Sequence, residues 1–313
     1  MGKYILKRLL WMIPVILGIS FILFSILEIT PGDPAVMILG ESAPPDRVEA
    51  LREEMGLNEP FLQRYVTYVA DALHGDFGSS YRTKLPVFDE ILSRFPTTLK
   101  LTVGGILLVV ILGIPLGILS AVKQYSVFDN VSMVAALILN SMPGFWLGIM
   151  LVLLFSVKLN LLPATGVNGW NSYILPCITL AAGMMASVVR MTRSNMLEVI
   201  RQDYISTARA KGADEERVIL RHALRNALLP VVTIVGLNFS SLLGGTLIIE
   251  TVFNIPGLGA LMITAVRSKD IPLVMAGVLF VALLGGFINL FVDVLYVYID
   301  PRLKSQFVRG KGK

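Results

Sequence analysis

The sequence predicts an all-α polytopic membrane protein: six transmembrane helices, with a helical extracytoplasmic segment between the first two. Three observations lead there. Hydrophobic residues make up 55% of the 313 and charged residues 16%, where a soluble domain carries about a quarter charged; mean hydropathy is +0.73. The apolar residues gather into six runs of the length a helix needs to cross a bilayer core, about 20 residues. The basic residues concentrate at the amino end, in one long loop and in the carboxyl tail, which six spans place on a single side.

The runs are Trp11–Ile29, Leu99–Val122, Val131–Val157, Ile174–Val189, Leu228–Ile249 and Ile271–Ile299. Their length and unbroken apolarity predict helices rather than barrel strands, because lipid forces each backbone group to find its partner within the segment. Run one follows Lys3, Lys7 and Arg8 as a signal peptide would, but it is long for one and Glu28-Ile-Thr-Pro-Gly-Asp33 lacks a small-x-small cleavage site, so it is expected to be retained. Thr30 to Thr98 is polar. In it Asp46 is expected to cap a helix that Gly56 ends, Pro60 to open a second with Phe61, Leu62, Tyr65, Tyr68, Val69, Ala72 and Leu73 on its apolar face, and Pro86–Arg94 to form a third amphipathic piece leading into run two. These pieces read either as interfacial helices or as a small packed cap. Gly113 with Gly117, and Gly144 with Gly148, have the spacing that lets helices approach closely, while Pro115 and Pro143 interrupt the hydrogen-bond ladder. The single cysteine, Cys177, excludes an intrachain disulfide.

Net charge is +5, which could point to nucleic acid, but its distribution reports topology. Lys3, Lys7 and Arg8; Arg193, Arg201, Arg209, Lys211, Arg217, Arg221 and Arg225; and Arg302, Lys304, Arg309, Lys311 and Lys313 fall on one side, facing little more than Lys158, Arg267 and Lys269 on the short opposing loops. The positive-inside rule then expects both termini in the cytoplasm. The large basic loop carries the strongest functional signal. Asp203 is expected to cap a short helix that Gly212 ends, and Asp214 a second one leading toward run five, with Glu215 and Glu216 in its first turn. Small Ala208 and Ala210 would let another protein approach; a solvated, lipid-touching loop is the alternative.

Thr207-Ala-Arg-Ala-Lys-Gly212, followed by Arg221-His-Ala-Leu-Arg-Asn226-Ala-Leu-Leu-Pro230, resembles the coupling-loop motif of ABC importer permeases, with Ser206 or Thr207 where that motif names a glutamate. The outer pieces Thr30-Pro-Gly-Asp-Pro34, Gly56-Leu-Asn-Glu-Pro60 and Gly75-Asp-Phe-Gly-Ser-Ser80 extend the resemblance. So do Arg94-Phe-Pro-Thr-Thr-Leu99, Val252-Phe-Asn-Ile-Pro-Gly-Leu-Gly259, Asn289-Leu-Phe-Val-Asp-Val-Leu-Tyr296 and Asp300-Pro-Arg302. In order and spacing they resemble the dipeptide, oligopeptide, glutathione and nickel permease branch. The resemblance implies a type I importer fold in a bacterial cytoplasmic membrane, divided as 1–96, a permease domain at 97–299 and a tail at 300–313. It also implies a second, homologous permease as heterodimer partner, two ATP-binding subunits that hold the ATP and magnesium, and an extracytoplasmic solute-binding protein. The loop from about 196 to 226 would then couple to the ATPase through Tyr204, Thr207, Ala208, Arg209, Ala210, Lys211, Gly212, Arg221, Asn226 and Pro230.

No P-loop occurs, so ATP is expected to bind elsewhere. Pro256-Gly-Leu-Gly259 lacks the third glycine of a dinucleotide loop, and Ser120-Ala-Val-Lys123 lacks the companion motifs of penicillin-binding enzymes. His74 and His222 fall on opposite sides, so no resident metal is expected. Polar residues within or beside the spans are candidates for the solute path: Asn140, Asn238, Ser240, Ser241, Glu250, Asn289 and Asp293, with helix-to-helix bonding as the alternative. Asp293 is expected to pair with Arg190 or a tail arginine. An ion-gradient-driven transporter or channel is the rival class, but the paired broken-helix halves and midplane carboxylates it calls for are not apparent. An intramembrane enzyme lacks a nucleophile–base pair.

Overall fold

Lipid leaves a chain few ways to satisfy its backbone, and helices account for most of the described residues of this one. The computed structural model describes residues 2–299, and within them the side chains other than those at positions 3, 240, 245 and 296–299. The tail expected at 300–313 lies outside the described residues. The elements are α1 (Gly2–Ile29), α2 (Pro34–Leu39), α3 (Pro45–Glu54), α4 (Phe61–Leu73), α5 (Val87–Leu108), α6 (Ile114–Val122), α7 (Val127–Ser141), α8 (Gly144–Leu151), α9 (Ile174–Ile200), α10 (Asp203–Ala210), α11 (Glu215–Arg217), α12 (Leu224–Val252), α13 (Leu258–Arg267) and α14 (Ile271–Ile299). Wider π-type turns carry α5 into α6 at Val109–Gly113, extend α8 through Val152–Lys158 and carry α11 into α12 at Val218–Ala223.

Among the described residues five helical stretches are long and apolar enough to cross a membrane, and a sixth crossing exists if α7 and α8 count as one span bent by 105°. The third run is therefore not the straight helix expected from Val131 to Val157. Met142 turns extended before Pro143, as the residue preceding a proline is pushed to do, and the helix restarts on a new axis. Run six stands as expected at Ile271–Ile299, and runs one and two end at Ile29 and Val122 as expected, but other boundaries move outward. Lys3, Lys7 and Arg8 are inside α1, the amphipathic Pro86–Arg94 piece is the first turns of α5, and α9 runs on to Ile200. Hydropathy marks only the lipid-facing length, whereas the backbone ladder continues until a cap or proline stops it. Pro115 does interrupt the ladder locally: the wider π-type turn at Val109–Gly113 lies directly before it and carries the helix past the N–H that proline lacks.

Helix α9 is the hub: 67% of its most apolar window is buried, against 11% for α1 at the periphery. The glycine spacings explain the approach of α6 to α9. A Cβ on Gly117 would collide with Thr192 and the Val189 carbonyl, whereas one on Gly113 would reach only ordinary contact with Val188 and Met185. Gly148 likewise admits Phe253 and Thr179.

The outer segment is packed against the bundle rather than lying free. Tyr65 of α4 meets Phe21 and Phe24 of α1 edge-on, and its hydroxyl lies 2.9 Å from that of Ser20. Val87 and Ile91 join Leu258, Met262, Leu273 and Val274 in one apolar cluster. Asp46 does not cap α3: the helix begins at Pro45, with Pro44 before it and no side-chain cap, so Asp46 sits inside the first turn. The cap in this segment is Asp33, which accepts from the Ala35 N–H at 2.9 Å and from Arg52 at 2.5 Å.

The apolar α13 was not foreseen. Its Gly257 cap has no side chain, and Glu250 takes over that task. Thr98 donates to Glu250 at 2.5 Å and accepts from the Leu258 N–H at 2.8 Å, while the Ala260 N–H donates to Glu250 at 3.0 Å. Gly257 and Gly259 are required there, since a Cβ on Gly257 would overlap the Glu250 carboxylate and one on Gly259 the Leu247 backbone. Asp270, between α13 and α14, anchors the outer segment by accepting from the Ser80 hydroxyl at 2.5 Å and the Tyr81 N–H at 3.1 Å.

Candidate coupling site and translocation path

At the end of the bundle that carries the basic loop, α10 lies as a short helix stepping out from α9. It begins after extended Gln202, so Asp203 is its first residue rather than its cap, a position where an acidic side chain still complements the helix dipole. It ends through Lys211 into Gly212, whose φ of +83° suits glycine. The Gly212 N–H returns to the Arg209 carbonyl at 2.9 Å and the Ala213 N–H to that of Ala208 at 3.2 Å. Asp214 does stand at the N-cap of α11, but makes no side-chain cap bond.

One side of α10 faces inward. Ile205 is fully buried in a cluster with Ala121, Met196, Val218, Ala223 and Ala227. Ala208, one turn on, packs partly against the same cluster. Its small side chain is half-buried there. Tyr204, Thr207, Arg209, Ala210, Lys211 and Gly212 are exposed. Arg209 is paired bidentately with Glu215 at 3.0 and 2.6 Å across the glycine bend, and these bonds raise the guanidinium pKa further. Asn226 donates to the Tyr204 hydroxyl at 2.8 Å, tying the start of α12 to α10, and Thr207 donates to the Asp203 carbonyl at 2.9 Å. Arg221 is exposed. Pro230 lies inside α12, where its lack of an N–H frees the Asn226 carbonyl from the helix ladder.

The path candidates separate into groups. Asn140 and Ser241 are exposed, and Asn238 and Asn289 half-buried; Asn238 donates to the Ile234 carbonyl one turn back at 2.8 Å. The side chain of Ser240 lies outside the described residues. Glu250 is fully buried by the α13 cap described above. Asp293 is held by Arg8 at 2.5 Å and by the Tyr4 hydroxyl at 2.8 Å, not by Arg190. The long separation in sequence hid this partner, because α1 and α14 pack side by side. Among the described residues no three His, Cys, Asp or Glu side chains gather as a metal group.

Sequence reasoning missed the most organised polar site at this end. Asp129, at the start of α7, is 1% exposed. It accepts from Arg193 of α9 through two bonds of 2.6 Å, from the Tyr125 N–H at 2.9 Å and from the Ser120 hydroxyl. Arg193 had counted only toward topology. The available signal was an acidic residue within a basic, apolar stretch.

The comparisons agree with this architecture. The family model described as binding-protein-dependent transport system inner membrane component matches residues 113–305, and its N-terminal companion matches residues 1–102. The dipeptide transport system permease protein DppB of Alkalihalophilus pseudofirmus is 44% identical over 97% of this chain and 100% of its own length. The glutathione transport system permease protein GsiC of Escherichia coli K12 is 43% identical over 97% and 99%. Among solved structures, a chain of the MetNI methionine ABC transporter in an inward-facing conformation superposes with a TM-score of 0.57. It is 18% identical and covers 67% of this chain and 96% of that one, a likeness of fold. The chain belongs to the binding-protein-dependent transport system inner membrane component family, the non-catalytic permease subunits of ABC importers.

Proposed function

We propose that this chain forms half of a heterodimeric permease that imports short peptides, driven by two separate ATPase subunits and supplied by an extracytoplasmic binding protein. Its α10 seats in the ATPase pair, and both termini lie in the cytoplasm. The observation that carries the coupling role is the two-sided construction of α10: Ile205 anchors it in the bundle, while Tyr204, Thr207, Ala210 and Lys211 stay exposed beside a glycine bend. ATP-driven closure beneath it would bias the permease between inward- and outward-facing states. Candidate path residues are Asn140, Asn238, Ser240, Ser241 and Asn289, with Glu250 and Asp293 serving as braces. The cargo reading rests on the names of the two relatives, one for dipeptide and one for glutathione.

The test is uptake by proteoliposomes holding the full importer and its binding protein, with labelled dialanine competed by pentaalanine, glutathione and a nickel chelate. Uptake competed best by short peptides supports the proposal. Selective competition by glutathione or the chelate would replace the cargo while keeping the mechanism.

A further inference from the structure

Helix α7 is held to the bundle in an unusual way. Among its described residues only Asp129 and Ala136 are buried, and Val131, Val134, Leu137 and Ile138 are exposed. The helix lies along α9 and touches α6, so in lipid its attachment rests on close packing there and on polar bonds rather than on apolar burial. Its first turn is fixed by Asp129, whose oxygens are occupied by Arg193, the Tyr125 N–H and the Ser120 hydroxyl, while its own N–H donates to the Ser126 hydroxyl at 3.2 Å. A bidentate arginine–carboxylate pair fixes orientation as well as distance. Since a buried ion pair is weak evidence for stability, its geometric role is the better account of it.

The partner's location makes that geometry consequential. Arg193 lies two turns before the end of α9, which passes through Arg201 and Gln202 directly into α10. In between, Met196 of α9 and Ala121 of α6 enclose Ile205 of α10. Apolar packing thus joins α6, α9 and α10, and the ion pair adds α7. At its far end, α7 leads through Met142 and Pro143 into the 105° bend, beside Asn140.

We propose that the Asp129–Arg193 pair is a positioning link that makes α7, and with it the Met142–Pro143 bend, move with coupling helix α10 during transport. This rests on the coupling role proposed for α10. The link passes motion at the ATPase face to α7 in a fixed orientation, which the two-pronged bond sets. Neither residue touches the solute.

The experiment uses the full importer in lipid nanodiscs, with Cys177→Ala in this chain and spin labels in two pairs. One pair reports coupling loop to α7 (Glu216→Cys with Ile138→Cys). The other reports coupling loop to outer segment (Glu216→Cys with Asp46→Cys). Distances are measured without nucleotide and after trapping with ATP and vanadate. The link predicts that the Glu216–Ile138 distance stays narrow and unchanged while the Glu216–Asp46 distance shifts. In Asp129→Asn the first distance should broaden or split on trapping; in Arg193→Lys, which keeps the charge but loses the two-pronged bond, it should do so partially. A purely structural role would lower thermal stability or yield and leave these distributions as in the parent. That result, or a Glu216–Ile138 distance that changes in the parent, overturns the link alone. A Glu216–Asp46 distance unmoved by trapping overturns the coupling role and the link with it.

Discussion

Replacing Thr98 by valine tests the buried clasp at the outer end of the bundle with almost no change in shape. The Thr98 side chain is 1% exposed, and its hydroxyl serves two groups at once, donating to Glu250 at 2.5 Å and accepting from the Leu258 N–H at 2.8 Å. Valine keeps the volume and removes both bonds. A buried hydrogen bond contributes about 0.5–1.5 kcal/mol and an orphaned buried N–H costs about 1–3 kcal/mol, so Thr98→Val should destabilise by about 1.5–4.5 kcal/mol. The assay is equilibrium unfolding of the purified chain in mixed micelles titrated with sodium dodecyl sulfate, followed by tryptophan fluorescence. Thr97→Val, one position away from the clasp, is the control and should lie near the parent. A Thr98→Val loss below about 0.5 kcal/mol, the range of ordinary surface substitutions, would refute the reasoning that this hydroxyl caps α13 together with Glu250.

Three further outcomes follow from the same geometry. Gly259→Ala should destabilise by about 1–3 kcal/mol in the same titration, because the new methyl meets the backbone of Leu247 and the Glu250 carboxylate, neither of which can yield freely. Ile205→Ala empties a fully buried site under α10, and a core truncation of this kind costs about 2–5 kcal/mol; faster proteolysis within 203–212 should report α10 leaving its seat. Asp270→Asn weakens the acceptor for Ser80 and Tyr81, so tryptic cleavage at Arg82 and Lys84 should accelerate while the basic loop is cut at the parent rate.

Much of the architecture was legible because the bilayer writes long signals into a sequence. Six apolar runs, glycine pairs that fit α6 against α9, and a glycine turn at 212 are all local patterns. The features that escaped depend on partners far apart in the chain. Glu250 reads as a polar residue at a helix end until α13 turns back and offers its free N–H groups. Asp293 gives no sign of Arg8 or Tyr4 in the sequence until α1 is packed beside α14; the tail arginines lie outside the described residues. Ala208 reads as a small surface residue until the turn of α10 sets it partly against the cluster around Ile205. The 105° bend was foreshadowed by Pro143, but not its size, since a proline stops a ladder without setting the direction in which the next helix starts. Within the outer segment, capping chemistry pointed to Asp46, whereas the operative cap, Asp33, sits in a Pro-Gly-Asp-Pro turn and is also held by Arg52.

The central claim is that ATP hydrolysis reaches the solute path through the loop around α10 and Gly212. The most direct measurement is uptake and ATP hydrolysis followed in the same proteoliposomes, with the complete importer, its binding protein and labelled dialanine, comparing the parent with Gly212→Pro. Gly212 sits at φ +83°, a conformation that proline cannot adopt, so the bend behind α10 must change. The account predicts that the parent takes up solute only with its ATPase subunits and ATP present, and that Gly212→Pro continues to hydrolyse ATP while uptake falls to background. Uptake without the ATPase subunits, or an unchanged ratio of solute moved to ATP hydrolysed in Gly212→Pro, would contradict it.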